Sequence, residues 1–83
     1  MPTYRLHVEY DRGGRHFDLY GADFIDRDAA LTEAHLGLRE LLAAAIVGAT
    51  DGPVAITLED ADGRHVATVA RQEVVPPSWR STY

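Results

Sequence analysis

The chain has 83 residues, with 8 Lys or Arg against 13 Asp or Glu for a formal net charge of -5, and it contains no cysteine. That length allows one domain, near the lower limit at which a chain buries enough apolar surface to hold itself together, and without Cys neither a disulfide nor a thiolate metal site can assist. The acidic balance argues against a general nucleic-acid binder, because phosphate contacts need a concentrated positive field. No apolar run approaches the roughly 20 residues that span a bilayer.

Thr3 to Tyr10 alternates strictly, Tyr4, Leu6, Val8 and Tyr10 on one side and Thr3, Arg5, His7 and Glu9 on the other, which predicts a half-buried strand. Asp11-Arg12-Gly13-Gly14 is turn chemistry, and Arg15 to Tyr20 alternates again. A four-residue loop with Tyr10 facing Arg15 sets Val8 against Phe17 and Leu6 against Leu19 inside, with Glu9 beside His16, His7 beside Asp18 and Arg5 beside Tyr20 outside. Phe24 and Ile25 are expected to tuck under the start of a helix capped by Asp26.

Asp26 to Val47 is the longest periodic segment. Ala30, Leu31, Ala34, Leu38, Leu41, Leu42 and Ala45 fall on one side, with Thr32, Glu33, Arg39 and Glu40 largely opposite, and Gly48 before Asp51-Gly52-Pro53 marks the stop. A third strand follows with Val54, Ile56 and Leu58 inward, then the turn Asp60-Ala61-Asp62-Gly63 with a left-handed glycine. Pairing Asp60 with Arg64 puts Val66, Thr68 and Ala70 on the core face of the fourth strand, whereas a slip by one buries Ala67 and Val69; the first register is expected. From residue 72 to 83 the pattern dissolves, and Pro76-Pro77 predicts an extended tail that is either frayed or an arm docking Trp79 and Tyr83.

The order strand, strand, helix, strand, strand predicts an α+β two-layer sandwich: a four-stranded, mainly antiparallel ββαββ sheet over residues 1–71, spatial order 2-1-3-4, with one long helix on one face. The opposite face is left open.

The chain resembles a family of short uncharacterised bacterial proteins classed only as a domain of unknown function. The resemblance lies in Met1-Pro2-x-Tyr4 before a strand, Gly13-Gly14, the spacing Asp18-x-x-Gly21 ahead of Asp26, the helix start Asp26-x-x-Ala29-Ala30-x-x-x-Ala34, and Asp60-x-x-Gly63-Arg64. It covers residues 2 to about 70 and implies the same ββαββ fold. Leu19-Tyr20 departs from the family's acidic tendency between Asp18 and Gly21. No activity is established for the family, so it implies no catalytic residue.

Arg5, His7, Glu9, His16, Asp18 and Tyr20 make up the candidate outer-face site. Imidazoles and carboxylates at such spacing can hold Zn²⁺, with His7, His16, Glu9 and Asp18 the candidate ligands, but the same residues also read as solvated charge pairs. His35 borders the helix stripe as a packing residue, and His65 follows a turn. No serine lies in a nucleophile elbow and no cofactor motif is present. Gly13-Gly14 has no following helix to cradle a phosphate. Leu36, Ala43 and Val47 interrupt the polar side of the helix and offer a second apolar strip. The expectation is a cytoplasmic, non-enzymatic homodimeric interaction module with a possible protein partner, no membrane contact and no cofactor. The alternatives are a metal-binding protein or small enzyme using the His/carboxylate cluster, and a weak RNA-binding or antitoxin-like module.

Overall fold

In the computed structural model, residues 1–48 and 52–74 are described, side chains 46–48 excepted. The predicted tail contacts of Trp79 and Tyr83, and the side chain of Val47, lie outside the described residues. The alternating segment forms β1 (Thr3–Tyr10), and the central helix α1 spans Arg27–Gly48. β4 (Pro53–Asp60) and β5 (His65–Ala70) follow, then a helical turn α2 (Arg71–Val74). Between β1 and α1 lie two two-residue strands, β2 (Arg15–His16) and β3 (Ala22–Asp23). The antiparallel sheet runs β2-β1-β4-β5, and β3 pairs with β1 on the same flank as β2. The α+β architecture and the spatial order of the four principal strands are those expected.

Asp26 caps α1 as its position predicts: its Oδ1 accepts the Ala29 N–H at 2.8 Å, and Asp28 sits in the first turn. Ala30, Ala34, Leu38 and Leu42, four residues apart, form the buried row, and three of them pack with Val8, Ile56 and Val69 into the core. Burying a leucine such as Leu38 is worth about 1.5–3 kcal/mol. The helix lies chiefly over β4 and β5. Among the described residues it therefore leaves the β2–β3 flank without a roof. Among the described residues no helix is long and apolar enough to cross a membrane.

Both hairpins turn in the same way. The Tyr10 N–H donates to the Gly14 carbonyl and the Gly13 N–H to Tyr10, just as Asp60 pairs with Arg64 and Gly63 bonds back to Asp60, with Gly13 and Gly63 both at positive φ. In the first hairpin Tyr10 thus faces Gly14 rather than Arg15. The one-residue change pairs Val8 with His16 and Glu9 with Arg15, and because pairing period is two it sends Phe17 to the outer face. Phe17 and Leu19, expected in the core, are 54% and 71% exposed. Ile25, expected beneath the helix, is also exposed, while Phe24 stays half-buried against the Tyr4 ring at 6.1 Å.

In the second hairpin the pairing of Asp60 with Arg64 is as expected, yet the faces are not. Glu59 pairs with His65 and Leu58 with Ala67, so Val66 is an extra residue in a bulge that flips the phase. Val69 and Ala67 face the core in place of Val66, Thr68 and Ala70, and Val69 is almost wholly buried. A second bulge, between Glu9 and Tyr10, sets Pro53 rather than Val54 opposite Tyr10. Residues 72–74, assigned to the extended tail, are instead helical, and Val74 packs against the core.

Candidate outer-face and edge-loop site

The flank of β1 opposite β4 carries one edge strand broken in two. β2 follows the register of Val8 with His16, and β3 that of Tyr4 with Ala22, so two extra residues are accommodated between them. The loop 17–21 bulges out, and the ladder bonds it cannot make are replaced by one side chain. Asp18 accepts the Leu6 N–H at 3.3 Å on Oδ2, and the Tyr20 and Gly21 N–H groups at 3.3 and 2.9 Å on Oδ1. Partial burial pushes the Asp18 carboxyl up, but the N–H groups of Gly21, Leu6 and Tyr20 and the His7 charge outweigh it, leaving the pKa below its ordinary 3.8. Gly21 closes the loop with φ 74°, and a Cβ there would stand 2.7 Å from the Tyr4 carbonyl oxygen, so only glycine fits.

His7 ties this loop to the sheet. The Asp18 N–H donates to His7 Nδ1 at 3.0 Å, while Nε2 lies 2.9 Å from Glu59 Oε1. A nitrogen that accepts a backbone N–H carries no proton, so Nε2 bears the hydrogen and donates it to Glu59. The Phe17 ring meets the imidazole edge-on at 5.4 Å. Nearby, Arg15 donates to Glu9 at 2.6 Å across the pair, and the Thr3 hydroxyl donates to Asp23 at 2.5 Å. Arg5 lies opposite Glu59, and its buried Nε has no acceptor among the described residues.

The candidate residues are therefore divided. His7 and Asp18 meet as expected, with Glu59 as the partner that completes the group. Glu9 is engaged by Arg15 and not by His16. His16, paired with Val8, belongs to the other face, which separates it from His7. Among the described residues no group of three or more His, Asp or Glu side chains is arranged to hold a metal ion. Tyr20 stands on the loop, 88% exposed, rather than across from Arg5 on a continuous strand. Leu36 and Ala43 are exposed on α1; His35 is half-buried, and the exposed His65 bonds Thr68 Oγ1 at 2.8 Å. What the strand pattern missed was the apolar loop. Its signal was the Asp18-x-x-Gly21 spacing, since an Asp accepting the N–H three residues on closes a turn.

An open antiparallel sheet with one covering helix and a side-chain-anchored edge loop defines a small two-layer α+β domain. The chain belongs to the family described as Domain of unknown function (DUF6894), whose model matches residues 3–71. No curated protein and no solved structure matches it.

Proposed function

We propose that the domain is a non-catalytic interaction module that pairs with a second copy of itself through the β2–β3 edge. One observation supports this above the others: of the six large apolar side chains exposed among the described residues, Met1, Phe17, Leu19, Tyr20 and Ile25 belong to this flank, and only Leu36 lies elsewhere. Met1 adjoins it because the Pro2 carbonyl accepts the Phe24 N–H. Isolated exposed apolar residues are ordinary, but a gathered set rimmed by polar groups is how contact surfaces are built.

A second copy suits the rim. Exposed Arg12 and Arg15, the latter bonded to Glu9 at 2.6 Å, stand at the turn end of the flank, where Asp11 is drawn toward Arg71 at 3.3 Å, and exposed Asp23, Asp26 and Asp28 outnumber Arg27 at the helix end. A two-fold axis through the loop sets each end against its opposite, the self-complementarity an isologous contact requires. Pairing by strand addition is disfavoured, since the loop interrupts this edge and a bulge twists β5 at the other. Additional burial also relieves the marginal core of so short a chain.

Sedimentation equilibrium over a dilution series tests the reading, with Leu19→Asp as the disrupting variant and Leu36→Asp as the control on the helix strip. The expected result is a dimer for the wild type and for Leu36→Asp, and a monomer of unchanged circular dichroism for Leu19→Asp. A concentration-independent monomer mass, or dissociation by Leu36→Asp alone, would overturn it.

A further inference from the structure

We infer that His7 is a proton-operated latch on the loop 17–21, closed when its ring is neutral and released when Nδ1 takes up a proton. In the closed form the ring uses both nitrogens at once, accepting the Asp18 N–H on Nδ1 and donating from Nε2 to Glu59. Only the neutral Nε2–H tautomer satisfies both bonds. A proton from solvent on Nδ1 turns that acceptor into a donor facing another donor, so the Asp18 amide must move away. An acceptor for the new N–H is carried by the same residue, the Asp18 carboxylate, which already holds the loop through Leu6, Tyr20 and Gly21. Its depressed pKa keeps that carboxylate charged through the range of about pH 5 to 8 in which imidazoles titrate. Drawing it toward the ring loosens the three amides together.

The surroundings of His7 supply the charges on either side of this balance. From β4, Glu59 faces Nε2, while the paired Thr57 is uncharged; across the Glu59 pair stands His65 of β5, already bonded to Thr68. From the loop come Asp18 and the Phe17 ring edge; from its own strand and face come Arg5 and Glu9, the latter engaged by Arg15 of β2. The ring is a point where carboxylates on two sides and a backbone N–H on Nδ1 meet.

Phe17, Leu19 and Tyr20 ride on this loop, so, resting on the self-association proposed above, the latch sets how the contact surface is presented. Neutral His7 holds it in shape, and acidification disperses it.

The experiment separates latch from assembly. At a concentration where the protein is monomeric, ¹⁵N-detected NMR reads the His7 tautomer, while amide shifts and exchange rates of Leu6, Asp18, Tyr20 and Gly21 are followed from about pH 8 to about pH 5. The expected result is Nε2–H at high pH and a common transition in the four amides, with protection from exchange, relative to the intrinsic rate at each pH, at least tenfold lower on the acid side. His7→Asn places an amide oxygen where Nδ1 stands and cannot titrate, so its loop amides stay pH-independent. His7→Phe lacks the acceptor, and its loop exchanges fast at every pH. An Nδ1–H tautomer at high pH, loop amides that ignore the His7 titration, or the same transition surviving in His7→Asn would each overturn the latch. For assembly, a dimer Kd that rises at least tenfold on acidification in the wild type and not in His7→Asn is expected. An unchanged Kd beside a moving loop would refute the coupling, and a monomer at all concentrations beside a titrating loop would count against the assembly reading alone.

Discussion

The two flanks of β1 are held by different forces. On the β4 side seven residue pairs run from Tyr4 with Asp60 to Tyr10 with Pro53, and α1 buries Ala34, Leu38 and Leu42 over that half of the sheet. On the other side β2 and β3 contribute two pairs each, no helix among the described residues covers them, and a few side chains, Asp18, His7 and the Arg15–Glu9 and Thr3–Asp23 pairs, do the fastening. Apolar burial is insensitive to pH and spread over many contacts. Hydrogen bonds to a few side chains are local and can be undone one at a time. The contrast assigns stability to one half of the domain and adaptable surface to the other.

The sharpest way to break that contrast is to remove core volume. Leu38→Ala is expected to cost about 3 kcal/mol, read as a lower denaturation midpoint with both flanks losing amide protection together. Gly21→Ala, which places a Cβ against the Tyr4 carbonyl at positive φ, is expected to cost about 2 kcal/mol. Hydrogen exchange then separates the halves: loop and β3 amides open while those of β4 and β5 keep their wild-type rates, and uniform loss would dissolve the distinction. Asp26→Ala removes the α1 cap for about 1 kcal/mol, seen in thermal unfolding as a small shift with no change at the loop.

The finest distinction comes from acid. The folded-state pKa of Asp18 lies below its unfolded value, so its contribution is fully present above about 3.8 and is lost as pH falls through the lowered folded value. In His7→Asn, whose loop does not follow a histidine titration, the Leu6, Tyr20 and Gly21 amide shifts should therefore hold to below pH 3.8 before moving, and adding Asp18→Asn should abolish that acid-limb transition. A loop that releases above 3.8 in a variant whose His7 cannot titrate would show that Asp18 is not its anchor.

Much of the stable half was legible as pattern. The period of α1, its Asp26 cap and the alternation of β1 and β4 are local signals that agree with burial, so tertiary packing had only to accept them. The candidate site was legible in part: His7 and Asp18 were adjacent in the expected hairpin, but their bond runs through the Asp18 backbone N–H, which no pairing of side-chain charges reveals. His16 was assigned to the wrong face for a geometric reason. A loop of three residues between paired ends instead of four reverses every side chain beyond it.

By itself, then, the chain determined that there would be one long amphipathic helix, where it begins, that the strands would lie in the order β2, β1, β4, β5, and that a family of small ββαββ domains would claim it. Only the tertiary structure decided which side chains the sheet presents. The bulge at Val66 and the three-residue turn after Tyr10 each shift phase without altering the apolar pattern. The one-residue change of register sent Phe17 to the outer face, and the lateral placement of α1 over β4 and β5 left Leu19 and Ile25, apolar enough for a core, exposed. Periodicity reports which residues can be buried together; what covers them depends on contacts between segments far apart in the chain, and that information is absent from any one segment.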